Sequence, residues 1–379
     1  MMRPIVIDAR TATDHFPGIG RYVVNLARSM SQVAPDLNLT LLHDPQAIST
    51  RLTLPDLPRI ACPVSPFSVQ QQWIVPQHLR RSEASLYHSP YYLMPYWPSV
   101  PTALTCYDLI PLIYPEYFTA RQRLVYRLTH ILALRTARVA LSISESTKRD
   151  LIRFFHCEPG RIVVTPLAAD EHFSPQPPEV VTAIKRKYSL PENYVLYVGT
   201  NKPHKNLVRL VQAWQAVNLK SHPPKGTGGR LPNVKLVIAG HWDIRYSGAR
   251  QVAEELGLED SVIFVGPVDD ADLPALYSGA ELFAFPSQYE GFGLPVLEAM
   301  ACGTPVICSN VSSLPEVSGE AAILIDPLDI EAIAKAIEHV LIDAALGRDL
   351  RENGLAQAAR FSWKQTAQAT WAIYRQMTI

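Results

Sequence analysis

Short apolar runs of β-forming residues alternate with helix-patterned segments along almost the whole chain, and that alternation narrows the fold more than any other feature. In the first half the runs are Ile5–Ala9, Leu39–His43, Ser85–His88, Thr102–Thr105, Val139–Ser142 and Ile162–Thr165. In the second half they are Tyr194–Val198, Lys235–Ala239, Val262–Val265, Leu282–Phe285, Val306–Cys308 and Ala322–Ile325. Several are apolar throughout instead of at every second position, the pattern of strands covered on both faces. Strands separated by single helices build βαβ units with parallel pairing. The expected class is α/β, with two doubly wound, Rossmann-like sheets.

The series divides at Ser174-Pro175-Gln176-Pro177-Pro178, because a cluster of prolines stops both helix and strand. The expected domains are residues 1–173 and 179–361, followed by a helix over 362–379 capped by Ser362. Trp363, Ala367, Thr370, Trp371 and Tyr374 share one face of that helix, which packs back on the first domain or stays on the second. The Pro-, Gly- and Lys-rich stretch Ser221–Pro232 reads as a surface loop.

Composition limits the partners and the compartment. Formal net charge is zero, so no nucleic-acid partner is expected. Met1–Asp8 runs into the first strand without the apolar stretch of a signal peptide, and no apolar run approaches the roughly 18 residues of a membrane span. Five cysteines, odd in number and without a C-x-x-C pair, read as free thiols in a reducing cytosol.

Residues 286–308 carry the densest chemistry. Glu290 and Glu298 bracket the turn Gly291-Phe292-Gly293, which leads into a helix started by Pro295 and ended by Gly303. Unpaired amides in the first turn of a helix, with its dipole, attract an anion such as a phosphate. Glycines let backbone approach that ligand. Glu290 also follows the apolar strand Phe283-Ala284-Phe285, at the end where α/β sheets bind ligands.

Two further loops have the same strand–loop–helix setting. Gly18-Ile19-Gly20 lies between the first strand and the first helix, but Val23 breaks the G-x-G-x-x-G dinucleotide pattern. Gly199 to Leu207 contains Thr200, Lys202, His204 and Lys205, and a lysine point charge suits a diphosphate.

Taken together, Gly-Ile-Gly-Arg-Tyr (18–22), Gly-Thr-x-x-Pro-His-Lys-Asn (199–206), Ile-Ala-Gly (238–240) and the 290–306 run resemble glycosyltransferase family 4. The resemblance spans about residues 4 to 375 and is most specific over 281–326, including Ser313-Leu314-Pro315-Glu316-Val317 and Asp326-Pro327. It implies the GT-B fold, two Rossmann-like domains facing each other across a cleft, and retaining transfer from a nucleotide sugar. It implies that Glu298 binds the ribose hydroxyls, Glu290 contacts the donor sugar and Lys205 binds phosphate. The amides of Phe292, Gly293 and Leu294 would hold sugar and diphosphate, Gly18 and Gly20 would approach the diphosphate, and Val265-Gly266 would meet the nucleobase. The family's upstream arginine has no clear match; Lys202 or His204 stands in its region, near Thr200. Where many members carry a histidine, this sequence has Tyr107, followed by Asp108. A phenol hydrogen-bonds a sugar hydroxyl but is not protonated at neutral pH.

The same resemblance implies no cofactor and no metal, and Asp269, Asp270 and Asp272, near a helix start, read as capping and solvated residues. Lys205, the helix start at Pro295 and the glycine amides would then stabilise the departing diphosphate. The expected reaction is front-face transfer with retention, the leaving phosphate helping to deprotonate the acceptor. Asp108 either orients a sugar or is structural. The motif set is most similar to mannosyl- and other hexosyltransferases of polysaccharide assembly, which makes GDP-mannose the expected donor and a saccharide or lipid-linked molecule the acceptor. Residues 120–138 hold five arginines, no acid and interleaved leucines. They form either a basic amphipathic helix resting peripherally on anionic lipid or a surface helix with its leucines packed inward. Rival readings are a non-catalytic nucleotide-sugar-binding protein, a GT-B epimerase or phosphorylase, and an oxidoreductase, the last opposed by the missing dinucleotide pattern.

Overall fold

The computed structural model describes residues 3–47, 49, 52–221 and 233–378. The expected Ser221–Pro232 loop lies, from residue 222 onward, outside the described residues. The chain forms two compact units, Met1–Leu167 with Ser362–Ile379, and Ala168–Phe361.

The first unit holds a seven-stranded sheet, β1 Ile5–Asp8, β2 Leu39–His43, β3 Arg59–Ala61, β4 Leu86–Ser89, β5 Thr102–Cys106, β6 Val139–Ser142 and β7 Ile162–Val164. Its order is β3-β2-β1-β4-β5-β6-β7, and every pairing is parallel. Ile5 of β1 is paired with Leu39 on one side and Leu86 on the other, so the buried first strand sits mid-sheet. The short edge strand β3 was not expected: three residues, two of them exposed, leave no apolar run to read. Helices α1 Pro17–Val33, α2 Gln71–Arg81, α3 Ile110–Ile113, α4 Ala120–Thr136 and α5 Glu145–Phe155 connect the strands. Just past β1, the buried Arg10 donates to Asp8 at 2.9 and 2.6 Å, to the Val64 carbonyl at 2.9 Å and to Gln71 at 3.2 Å. Tyr87 donates to the same carboxylate at 2.5 Å. Surrounding the ion pair with hydrogen bonds offsets the cost of burying it, and it fixes the first turn of the loop toward α1.

The second unit repeats the plan with six parallel strands, β8 Tyr194–Val198, β9 Lys235–Ala239, β10 Val262–Gly266, β11 Leu282–Phe285, β12 Val306–Ser309 and β13 Ile323–Ile325. Their order is β10-β9-β8-β11-β12-β13. The helices are α6 Pro178–Lys187, α7 Leu207–Ser221, α8 Gly248–Glu255, α9 Leu273–Ser278, α10 Leu294–Ala301, α11 Leu314–Ser318, α12 Ile330–Ile342 and α13 Ala344–Ala358. This unit begins at Ala168, before the proline cluster that marks the break in the sequence. Residues 168–173 belong to it because Phe173 packs edge-on against Tyr277 and His172 lies 3.6 Å from Asp270.

The last helix, α14 Trp363–Thr378, is part of the first unit and lies against α1. Ser362 Oγ accepts from the Gln365 amide at 3.2 Å and caps it. Ile373 and Met377 join Trp363, Ala367, Thr370 and Tyr374 in the buried face, while Trp371 is only half-buried. The cysteines are free thiols; Cys62, Cys106, Cys302 and Cys308 are buried and Cys157 half-buried.

Candidate functional site

In each sheet the strand order reverses beside the unit's first strand, between β1 and β4 and between β8 and β11. The carboxyl ends of strands at such a reversal leave a crevice that α/β proteins use for ligands. Lys205 follows β8 and Glu290 follows β11, so both come to the reversal of the second sheet. Lys205 Nζ donates to both carboxylate oxygens of Glu290, at 2.7 and 2.9 Å. The two side chains are 16% and 11% exposed, mostly withdrawn from water yet still reachable. Nζ also lies 5.5 Å from the centre of the Phe285 ring.

Local sequence explains this aim. A single turn of 3-10 helix, Pro203–Lys205, ends at Asn206 in the left-handed conformation, φ +64°. Asn206 Nδ2 donates to the carbonyls of Pro286 (3.0 Å) and Pro327 (2.6 Å), tying the lysine's turn to the loop that carries Glu290. From the other side, Ser312 Oγ accepts from the Glu290 amide at 3.0 Å, and Ser313 Oγ donates to the Glu290 and Phe292 carbonyls at 2.9 and 2.6 Å. Asn206, Ser312 and Ser313 were not picked out as site residues. The signals were present in the Pro-His-Lys-Asn and Ser-Ser-Leu-Pro-Glu-Val runs.

Gly293 precedes α10 at φ +113°, where a Cβ would also come within 2.7 Å of Leu314. Pro295 sits in the first turn of α10, and Gly303, at φ +73°, follows its end. Phe292 is buried edge-on to Phe361, and Leu294 is half-buried. Glu298, one turn into α10, is buried and accepts from Tyr277 Oη at 3.1 Å. The two glutamates are thereby held by different neighbours.

The remaining expected residues of this unit separate. Lys202 is exposed, whereas the His204 ring is buried. Burial first, then Lys205 and Lys202, push the His204 pKa down to about 3. His204 is therefore neutral and supplies no cation; of the two candidates only Lys202 does. Thr200 offers its carbonyl to Tyr197 Oη at 3.0 Å. Val265 is half-buried at the end of β10, and Gly266 is left-handed at φ +82°, its carbonyl accepting from the Gly240 amide at 2.8 Å. Asp269 and Asp272 do not cap helices: Lys187 reaches them at 3.0 and 2.5 Å, and Tyr188 donates to Asp272 at 2.7 Å.

In the first unit, Gly18 and Gly20 lie in the first turn of α1, after Pro17. They differ in need. A Cβ on buried Gly20 would come within 2.4 Å of Leu52 and 3.2 Å of the Ala12 backbone, while one on exposed Gly18 meets nothing within 4 Å. Tyr107 and Asp108 follow β5. Tyr107 packs edge-on against Tyr22, and its hydroxyl is buried with no hydrogen-bond partner among the described residues. Asp108 Oδ1 accepts from the Ile110 amide at 3.1 Å, and its carbonyl accepts from Tyr126 Oη at 3.0 Å. Nearby, a cavity of about 580 Å³ is lined by Tyr92, Phe118, Tyr126, Arg121 and Val125, among others.

Comparison with known proteins decides the family. Residues 17–173 match Glycosyltransferase Family 4, and residues 181–357 match Glycosyl transferases group 1. The O-antigen chain mannosyltransferase B of Escherichia coli is 33% identical over 380 residues, covering 94% of this chain and 96% of that protein. The chain belongs to this family of glycosyltransferases. The serotype-specific mannosyltransferase WbdA of Escherichia coli is 34% identical over 273 residues, 70% of this chain but only 32% of that protein. Among solved structures, sucrose-phosphate synthase from Thermosynechococcus elongatus has a TM-score of 0.75 at 24% identity, covering 99% of both chains. Anabaena HepE in complex with UDP and glucose has a TM-score of 0.74 at 18% identity, covering 99% of this chain and 100% of that one. The fold of this glycosyltransferase is GT-B, built from two parallel Rossmann-like sheets.

Proposed function

We propose that this glycosyltransferase moves mannose, with retention and without a metal, from GDP-mannose to a saccharide or lipid-linked acceptor in polysaccharide or lipopolysaccharide assembly, in the cytoplasm. The observation that carries the reading is the Lys205–Glu290 pair at the reversal of the second sheet. A diphosphate competes with Glu290 for Lys205 Nζ, and once the lysine turns to phosphate the carboxylate is free to accept from sugar hydroxyls. Lys205, Lys202, the Gly293 and Leu294 amides and the α10 dipole then stabilise the departing charge, preorganised in place of a cation. The acceptor oxygen bonds to the anomeric carbon as the carbon–phosphate oxygen bond breaks, and the acceptor proton passes to the leaving phosphate. Glu298 holds the ribose. Tyr107 stands where many relatives carry a histidine near the donor sugar, with its hydroxyl buried and unpartnered among the described residues.

Two relatives support the sugar: the proteins named O-antigen chain mannosyltransferase B and WbdA are both mannosyltransferases. The complex of HepE with UDP-glucose supports a nucleotide-sugar donor as a class without choosing the base. The test incubates the purified chain with GDP-mannose or UDP-glucose, a mannose-terminated acceptor and a chelator. Transfer from GDP-mannose, with the donor's anomeric configuration kept in the product by NMR coupling constants, is expected. Transfer from UDP-glucose alone, an inverted linkage, or loss of activity in chelator each overturns the corresponding part.

A further inference from the structure

The first sheet reverses between β1 and β4, and the loops at the carboxyl ends of its strands carry a row of aromatic rings. Phe16, just before α1, stacks on Phe67, in the loop before α2, with ring centres 5.6 Å apart. Tyr91, after β4, lies 5.2 Å from Phe16 and 4.5 Å from Tyr92, and Tyr92 lies 5.1 Å from Tyr126. Phe67 is 56% exposed, and the other rings of the row are half-buried. At its far end the row meets the cavity of about 580 Å³ that Tyr92 and Tyr126 help to line.

The row is braced by its own loops. The Phe67 amide donates to Ser65 Oγ at 3.2 Å, and Gln71, which accepts from Arg10 at 3.2 Å, donates to the Pro66 carbonyl at 2.5 Å. Ser89 Oγ donates to the Tyr91 carbonyl at 2.7 Å. Scattered exposed apolar residues are ordinary, but a contiguous aromatic surface beside a cavity at a sheet reversal is a place where α/β proteins bind ligands.

Chemistry chooses the ligand. The face of an aromatic ring is negative, so it attracts the C–H groups on one face of a hexose ring, while the sugar's hydroxyls need polar partners beside it. Burial above all, with the charge of Asp108 among the smaller causes, raises the Tyr91 and Tyr92 phenols above their ordinary pKa. Both therefore keep their protons and can donate to sugar oxygens. The same nearby carboxylate disfavours a phosphate against these rings. The row from Phe67 to Tyr126 is longer than one hexose can cover.

We propose that this row is the acceptor site and grips the end of a glycan through two or more consecutive hexose units. The assignment rests on the saccharide acceptor proposed above. Its test has two arms, both on the full chain. Without donor, saturation-transfer NMR titrations compare α-linked mannotriose and maltotriose with their monosaccharides. The wild type binds at least one trisaccharide roughly tenfold more tightly than its monosaccharide; Phe67→Ala and Tyr91→Ala each weaken that binding about tenfold, and Phe67→Trp retains it. With GDP-mannose as donor, the alanine variants raise KM for the trisaccharide to the same extent, while donor KM and the thermal shift with nucleoside diphosphate stay within about twofold. If Tyr91→Ala lowers the unfolding midpoint, the exposed Phe67 decides. Trisaccharides bound no better than monosaccharides, or alanine variants that bind like the wild type, overturn the proposal whatever the donor. Binding that the variants lose, in a chain that transfers nothing from GDP-mannose, keeps the row as a glycan site and overturns the donor alone. Affinity that follows the length of an isoprenoid phosphate and ignores the number of sugars would assign the row to a lipid instead.

Discussion

Lys205 Nζ stands 2.7 Å from Oε1 and 2.9 Å from Oε2 of Glu290, so the cation and the acid at the reversal of the second sheet satisfy each other. A ligand that brings its own phosphates must break this pair, and the two residues should then fail in different ways. Lys205→Met is expected to lower kcat/KM by roughly a hundredfold or more and to weaken nucleoside diphosphate binding. Glu290→Gln is expected to abolish turnover while calorimetry shows nucleotide affinity within about threefold of wild type. Unchanged turnover in the glutamine variant would falsify the role given to Glu290.

Glu298 is buried, and Tyr277 Oη at 3.1 Å orients its carboxylate. Glu298→Ala removes a group expected to hold two ribose hydroxyls and should weaken nucleotide binding at least roughly tenfold. Tyr277→Phe removes only the orienting bond, worth about 1 kcal/mol, and should weaken binding about fivefold with kcat nearly constant. Equal losses in both variants would argue that Tyr277 matters for the fold instead.

The two glycines opening α1 separate in the same manner. Gly20→Ala pushes a methyl against the movable end of the Leu52 side chain and to 3.2 Å from the Ala12 backbone, and should lower the unfolding midpoint by about one or two degrees. Gly18→Ala meets open space, so the midpoint should hold or rise slightly. Its effect should appear in donor KM, because the added methyl stands where a ligand is expected to approach. A Gly18→Ala enzyme with wild-type KM would remove Gly18 from the site.

His88 is buried, with Nδ1 2.5 Å from Tyr374 Oη and Nε2 2.7 Å from Thr105 Oγ1, and burial lowers its pKa from 6.5 to about 3. The unfolded chain therefore takes up a proton near pH 6.5 that the folded chain refuses. Stability from this group is complete above that pH and is lost as pH falls from 6.5 toward 3. By pH 5 the loss reaches about 2 kcal/mol. Denaturant unfolding at pH 7 and pH 5 should show a steeper fall for the wild type than for His88→Gln.

Strand-rich elements were legible because parallel strands buried on both faces need unbroken apolar runs, as in Leu282–Phe285 and Val195–Tyr197. The edge strand Arg59–Ala61 was not, since an exposed edge asks nothing of its side chains. Lys205 and Glu290 could be named from their motifs, but their contact could not. It depends on how Asn206, Ser312 and Ser313 tie three loops together, and hydrogen bonds between loops distant in sequence leave no periodic trace. His204 illustrates the same limit: beside Lys202 and Lys205 it reads as one more cation until burial removes its charge. In α4 the leucines were visible, but not that Leu124, Leu128 and Leu132 face outward while Leu134 faces the core, because both sides of the helix are apolar.

The chain leaves the first unit at Leu167 and returns to it only at Ser362, with α14 completing the packing of α1 and supplying Tyr374 to His88. During synthesis from the amino terminus, the first unit is thus the earlier one made and the later one finished. Until α14 has emerged from the ribosome, the face of α1 that it packs against waits uncovered while the entire second unit is translated. A stop codon placed between Ser362 and Thr378 should therefore damage the part of the protein that was translated first.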